Sequence, residues 1–127
     1  MVIIDTSVVI DHLRQDEKET LLMRLAKDNP KENLAISVVS VQELFEGRST
    51  QQSDKRQSLL AVISPLQILP YDYETARLAG EIARDLGRPV ELADAAIAAT
   101  AINNGARLLT LNRKDFRDIA ELELLEM

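Results

Sequence analysis

Four acidic side chains attract attention because most of them fall where one predicted element gives way to the next: Asp5, Glu43, Asp94 and Asp115. Asp94 is the most conspicuous, since it is the only charged residue between Leu92 and Ala106, in a stretch made mainly of Ala, Ile, Thr and Asn. No basic residue lies three or four positions from it. An unpaired buried carboxylate is costly, so Asp94 needs a distant base, a proton or a metal ion.

Each acid also has an ordinary structural explanation. Asp5 is placed to cap a helix that begins at Thr6, and the segment 40–43 fits a capping box with Ser40 as N-cap. The segment 112–115 resembles a cap with an acidic first turn. Asp94 is either the N-cap of an Ala-rich helix or a residue inside its first turn. From single positions these alternatives stay open.

The elements around the acids alternate between strands and helices. Apolar, β-branched runs predict strands over 2–4, 34–38, 66–69 and 106–111, with a possible fifth over 122–126. Helical patterns follow Thr6 and cover 17–28, 40–47 (ending at Gly47), a segment reaching about Ile63, 73–87 and 91–104, the last two ended by Gly87 and Gly105. This alternation predicts one α/β domain over residues 1–127, a three-layer α/β/α sandwich with a mainly parallel sheet of four or five strands.

The order of the elements gathers the acids at one edge of the sheet. In parallel α/β sheets the ligand crevice lies beyond the carboxyl ends of the strands. Asp5 ends the first strand, Glu43 lies one turn into the helix after the second, and Asp115 follows the fourth by a few residues. Two unit charges about 4 Å apart repel by roughly 4 kcal/mol at an effective dielectric constant of about 20. Such a cluster requires protons or cations.

Oxygen ligands favour a hard cation. The chain has no Cys, and His12, its single His, lies in a polar segment predicted to be solvated. Carboxylates alone favour Mg²⁺ or Mn²⁺ over Zn²⁺, and carboxylate-held Mg²⁺ suits phosphodiester hydrolysis. Neither G-x-G-x-x-G nor G-x-x-x-x-G-K-[ST] occurs, so the sequence has no phosphate-binding loop that would support a nucleotide cofactor.

Composition narrows the partners. The chain has 127 residues, 46% of them hydrophobic, and a net charge of −6 from 21 acids and 15 bases. That charge argues against broad nucleic-acid binding through a basic surface, but a basic rim around an acidic crevice remains compatible with it. It also suits a basic partner protein. The lack of Cys, of a leader-like segment and of a membrane-length apolar run leads us to expect a cytoplasmic protein.

These residues resemble a known family over nearly the whole chain. VIIDTSVVID at the start, SVVSVQELFEGR in the middle and PVELADAAIAATAINNGARLLTLNRKDF near the end are similar, in this order and spacing, to the acid-bearing segments of PIN-domain ribonucleases. The resemblance is specifically to VapC-type toxins of toxin–antitoxin pairs.

The resemblance implies a role for each matching residue. Asp5, Glu43 and Asp94 match the three acids of the family's metal site, and Asp115 matches a variable fourth acidic position, near which Asn112 is an alternative. The hydroxyls of Thr6 and Thr110 match positions close to the metal, where they are expected to orient a carboxylate or a water; packing or capping is an equally good explanation for them.

The resemblance also implies partners. Family members are Mg²⁺- or Mn²⁺-dependent endoribonucleases that cut structured RNA, often transfer or ribosomal RNA. They usually form homodimers, and a cognate antitoxin covers the active site. Candidate RNA contacts, each with a solvated surface charge as the alternative, are Arg48, Arg113, Lys114 and Arg117. The competing functional hypothesis is a catalytically silent PIN-like module that only binds a partner protein.

Overall fold

The computed structural model describes residues 1–16 and 18–127. Its strands are β1 (Val2–Ile4), β2 (Leu34–Ser37), β3 (Gln67–Leu69), β4 (Arg107–Leu109) and β5 (Glu123–Leu124). Its helices are α1 (Thr6–Arg14), α2 (Leu21–Asp28), α3 (Val38–Glu46), α4 (Ser53–Ile63), α5 (Tyr73–Asp85), α6 (Leu92–Asn103) and α7 (Arg113–Phe116), with a 3-10 turn over Arg48–Gln51. None of these helices has the length and apolar character that crossing a membrane requires.

The five strands form one parallel sheet in the order β3-β2-β1-β4-β5. The central strand β1 pairs with both neighbours, so that Ile3 lies opposite Ala35 of β2 and Leu108 of β4. The predicted parallel sheet is confirmed, and its fifth strand is present but short.

Helices cover both faces of the sheet. Successive side chains of a strand point to opposite faces, and in β1 Val2 and Ile4 enter one core while Ile3 enters the other, all three fully buried. The first core also contains buried residues of α1, α2, α3 and α4, and the second is filled largely by α6. This arrangement is the three-layer α/β/α sandwich that the alternating pattern predicted.

The strand order places a crevice between β1 and β4. From β1 the chain moves outward to β2 and β3, then returns across the sheet to β4 on the other side of β1. Strand order therefore reverses between β1 and β4, and ligands bind beyond the carboxyl ends of strands at such a point. The backbone N–H of Asp5 donates to the carbonyl of Leu109 at 2.9 Å, which keeps the two strand ends together there.

Two predicted helix starts are wrong. Helix α3 begins at Val38, because the hydroxyl of Ser37 accepts the backbone N–H of Val39 at 3.1 Å. The predicted strand therefore stops at Ser37, and the hypothesis that Ser40 caps the helix fails. Helix α2 begins only at Leu21, after Thr20, whose hydroxyl accepts the N–H of Met23; residue 17, where we predicted its start, lies outside the described residues.

Glycine ends α6 as the sequence predicts. Gly105 adopts φ +59°, a left-handed conformation that glycine tolerates well. Its N–H bonds the carbonyl of Ile102, and the N–H of Ala106 bonds that of Ala101, which is the paired closure of a Schellman motif. Gly87 adopts the same left-handed conformation after α5, at φ +77°. Helix α3 ends at Glu46, directly before Gly47 as predicted, but Gly47 has an ordinary φ of −63°.

The contact of α6 with the sheet predicts a strong size dependence at Ala98, which is fully buried in the same core as Ile3 and Leu108. We expect Ala98→Leu to lower the free energy of unfolding by about 1–3 kcal/mol, because a larger side chain forces α6 away from the strands. The measurement is urea unfolding followed by circular dichroism. Ala83→Leu, at an exposed position of α5, is the matched control with about the same change in helix propensity. Equal stability of the two variants would contradict the packing described here.

Candidate active site

A pocket of about 560 Å³ opens at the carboxyl edge of the sheet. All four predicted acids line it, together with the predicted auxiliary residues Thr6 and Asn112. Thr110 does not line the pocket, but its hydroxyl donates a hydrogen bond to the Asp5 carboxylate. Three polar residues of the lining were not predicted from the sequence: Ser7, Arg88 and Glu91.

Asp5 is buried, with 3% of its surface exposed, and is oriented by two hydroxyl groups. Thr110 Oγ1 and Ser7 Oγ each donate to Asp5 Oδ2 at 2.7 Å. Those hydroxyls in turn accept the backbone N–H groups of Asn112 at 2.9 Å and Leu111 at 3.2 Å. Asp5 occupies the N-cap position of α1, as expected, but its carboxylate makes no capping bond to the helix and lines the pocket instead.

Glu43 is held by a hydroxyl from a different helix. Thr6 Oγ1 lies 2.7 Å from Glu43 Oε1 and 2.8 Å from Ser40 Oγ. A hydroxyl carries one proton, and the charged carboxylate is the stronger acceptor, so Thr6 donates to Glu43 and accepts from Ser40. This chain joins α1 to α3. It also shows that Glu43 does not take part in the predicted capping box.

Asp94 occupies the first turn of α6, whose N-cap position is Glu91, so the hypothesis that Asp94 is itself the N-cap is wrong. Its side chain is half-buried, whereas residues 95–101 behind it are fully enclosed. Burial raises the pKa of Asp94 from 3.8 to about 6, with further contributions from the negative charges of Asp5, Asp115, Glu91 and Glu43. The pocket therefore has an electrostatic cost that a cation would relieve.

Asp115 and Asn112 reach the pocket from the segment after β4. Asp115 lies in the four-residue helix α7, where its N–H donates to the carbonyl of Asn112 at 2.9 Å. The neighbouring Phe116 is 1% exposed and fixes this helix to the core below α6. Both alternatives for a fourth ligand are thus available at the pocket wall.

The four basic residues chosen from the sequence do not line the pocket. Arg113 is directed to the chain end, where it pairs with Glu126 at 2.7 Å. Arg48, Lys114 and Arg117 are exposed. The basic residue that does line the pocket is Arg88. Its position in the short connection between two predicted helices was the one feature of the sequence that could have indicated it.

His12, expected to be solvated, is instead half-buried, with Nδ1 2.7 Å from Thr20 Oγ1.

The donor set suits a hard divalent cation that keeps part of its water shell. In the part of the chain that the structure describes, no group of three or more His, Asp or Glu side chains is arranged as a ready metal-binding group. Mg²⁺ is usually bound through one or two carboxylates, waters and substrate phosphates, not by a complete protein cage. An open pocket whose lining carries carboxylates on separate segments is compatible with that mode of binding.

Comparisons with known proteins agree with this architecture. A sequence profile for the PIN domain matches residues 2–122. Ribonuclease VapC10 of Mycobacterium tuberculosis is 35% identical over 116 residues, 88% of this chain and 83% of that protein. Ribonuclease VapC1 of Rickettsia felis is 39% identical over 98 residues, 71% of this chain and 73% of that protein.

A solved structure extends the likeness to the fold. A chain in the crystal structure of VapBC2 from Rickettsia felis bound to a DNA fragment from their promoter superposes with a TM-score of 0.83 and 26% identity, covering 98% of both chains. The chain described here therefore belongs to the PIN-domain family, and its relatives group it with the VapC-type members.

The raised pKa of Asp94 predicts that its neutral variant is the more stable protein in the absence of metal. The pKa of Asp94 rises from its ordinary value of 3.8 to about 6 in the folded protein, so the folded protein binds this proton more tightly than the unfolded chain does. The cost of ionisation is therefore absent below about pH 4, grows between pH 4 and 6, and is complete above pH 6. In a site without solvent, ionisation of Asp94 would lower the free energy of unfolding by about 3 kcal/mol. Because solvent screens this half-buried site, we expect Asp94→Asn to raise the free energy of unfolding by about 1 kcal/mol at pH 7.5.

The measurement is urea unfolding in EDTA at pH 7.5 and pH 4. The gain should shrink at the lower pH, and Asp54→Asn, at an exposed position of α4, should show no such pH dependence. A loss of stability in Asp94→Asn at pH 7.5 would contradict the electrostatic description of the pocket.

Proposed function

We propose that the protein is a metal-dependent endoribonuclease that hydrolyses RNA phosphodiester bonds and serves as the toxin of a toxin–antitoxin pair. The observation that carries this proposal is a single pocket lined by Asp5, Glu43, Asp94 and Asp115, at the point where strand order reverses. The ribonuclease names of its relatives support the reaction class.

In this proposal Asp5, Glu43 and Asp94 hold Mg²⁺ or Mn²⁺, with Asp115 or Asn112 as the further ligand. A bound divalent ion supplies an activated water and offsets the charge that develops on the phosphate. The protein contributes fixed carboxylates: Thr110 and Ser7 orient Asp5, and Thr6 orients Glu43. Side chains fixed in advance pay less reorganisation in the reaction, which is how a preorganised site lowers a barrier.

Asp94 contributes in a different way. Its pKa of about 6 shows that the pocket without a cation resists a further negative charge. A cation bound beside Asp94 would favour the ionised form and lower that pKa, because an opposite charge stabilises a carboxylate. Metal binding is therefore expected to release protons near pH 6 and to weaken at lower pH.

The partners follow from the same pocket. An acidic cleft in a chain of net charge −6 suits a basic segment of an antitoxin. Solved relatives whose names pair VapB with VapC support such a partner. We further propose a homodimer acting in the cytoplasm on structured RNA such as transfer or ribosomal RNA.

The test is cleavage of a total transfer-RNA pool, and separately of ribosomal RNA, by the purified chain. Reactions contain Mg²⁺, Mn²⁺ or EDTA and use the wild type, Asp94→Asn and the control Asp54→Asn. We expect discrete fragments that require metal, are unaffected in Asp54→Asn and decrease at least about a hundredfold in Asp94→Asn, because Asp94 helps to hold the ion that stabilises the developing charge, and loss of such stabilisation costs on this order.

Two outcomes would contradict the proposal. Equal fragments from wild type and Asp94→Asn would mean that the cleavage does not use this pocket. Absence of cleavage together with no rise in melting temperature on adding Mn²⁺ would instead support the silent binding module, since a ligand that binds the folded state must stabilise it.

A further inference from the structure

Arg88 is a basic side chain in an otherwise acidic pocket. The lining contains five carboxylates, those of Asp5, Glu43, Asp94, Asp115 and Glu91, and Arg88 is its basic member. In the described part of the chain, Arg88 forms no ion pair with any of these carboxylates. Its guanidinium therefore keeps its charge available in the pocket.

One end of the guanidinium is attached to the segment that carries Asp115. Arg88 Nη2 donates to the backbone carbonyl of Arg117 at 2.8 Å and to that of Asp115 at 3.2 Å. The side chain is half-buried, and these two bonds connect the α5–α6 connection to α7. Arg88 thus fixes the backbone that positions Asp115.

The connection that carries Arg88 is itself constrained. Gly87 turns the chain after α5 at φ +77°, and Pro89 disfavours helical backbone at Arg88. The backbone from which the Arg88 side chain extends is therefore held in place at the pocket wall. A side chain fixed at its base and by one nitrogen loses little further freedom when it binds a ligand.

The rest of the guanidinium remains available. The two protons of Nη2 account for the two carbonyl bonds, and the Nε and Nη1 atoms hold three more N–H groups. Among the described residues these groups have no hydrogen-bond acceptor. The free Nε–H and Nη1–H groups point in different directions, so each can donate a single charge-assisted hydrogen bond to a phosphate oxygen.

We infer that Arg88 binds a backbone phosphate of the RNA at the entrance to the acidic pocket while it holds the Asp115 segment in place. This inference rests on the proposed ribonuclease function. A phosphate approaching five carboxylates is repelled by their charge, and Arg88 supplies an attractive contact on the chain itself. Arg113, which lies outside the pocket, is paired with Glu126 instead.

The experiment compares Arg88→Met, Arg88→Lys and the control Arg84→Met, which removes an exposed arginine of α5 paired only with its neighbour Asp85. Equilibrium binding of fluorescent transfer RNA is measured in EDTA over a series of salt concentrations, where cleavage does not interfere. Steady-state cleavage in Mg²⁺ gives kcat and KM, and thermal melting reports stability.

We expect Arg88→Met to weaken RNA binding and raise KM about tenfold or more, the usual loss for a charge-assisted contact. The slope of log affinity against log salt should fall by about one, as for one lost phosphate contact. Arg88→Lys should keep the slope but lower kcat, because lysine cannot span the two carbonyls. Arg84→Met should behave like the wild type.

The outcomes separate the inference from the function on which it rests. An unchanged salt slope and KM in Arg88→Met, with only a lower melting temperature, would overturn the inference and leave a purely structural role. Wild-type binding without metal-dependent cleavage would overturn the proposed activity, and the loss of slope in Arg88→Met would still support the phosphate contact. A wild type that neither binds RNA in EDTA nor cleaves it in Mg²⁺ would overturn both.

Discussion

The buried carboxylate of Asp5 is the interaction on which the arrangement of the site depends. It lies at the end of the central strand, 3% exposed, where an uncompensated charge would be costly. Two hydroxyl donors offset that cost, and one of them, Thr110, directly follows β4. The position of the carboxylate is therefore coupled to the pairing of β1 with β4, in which Ile4 lies opposite Leu109. A change in that pairing would move the donor and the acceptor apart.

Repulsion among the remaining acids gives the pocket its chemical character. Glu43 is restrained by Thr6, and Asp115 is carried by a short helix whose Phe116 lies in the core. Asp94 faces these charges from the first turn of α6, and its pKa rises to about 6. Fixed like charges of this kind oppose one another until a cation or a basic partner enters. In this account the excess of negative charge drives the binding of metal and of an antitoxin, whereas it repels RNA phosphate unless a cation or Arg88 offsets it.

The fold was largely predictable because its signals are local and repeated. Short β-branched runs, Gly87 and Gly105 at helix ends, and the alternation of strands and helices each indicate the same α/β sandwich. The convergence of the four acids followed from the geometry of a parallel sheet. Their local roles did not follow, since the carboxylates of Asp5 and Glu43 accept bonds from other hydroxyl groups and make none of the capping bonds that their positions suggested. Ser37, three residues before Ser40, is the N-cap of α3 instead.

What the sequence did not reveal depends on contacts between distant segments. The hydroxyl of Ser7, which orients nearby Asp5, accepts the N–H of distant Leu111, and no spacing rule links Arg88 to the carbonyls of Asp115 and Arg117. The basic residues predicted to contact RNA were chosen because they lie close to the acids in the sequence or follow the helix of Glu43. None of them lines the pocket, and Arg113 forms an ion pair with Glu126. Nearness in sequence therefore did not identify the basic residue that lines the pocket, which is Arg88 of the α5–α6 connection.

The most direct test of a metal site at this pocket is anomalous diffraction from crystals of the chain soaked with Mn²⁺, alongside crystals of Asp94→Asn. The account predicts an anomalous peak within bonding distance of carboxylate oxygens of Asp5 and Asp94, lost or strongly weakened in the variant. A well-diffracting wild-type crystal with no peak in the pocket, or a peak that persists unchanged in Asp94→Asn, would contradict it.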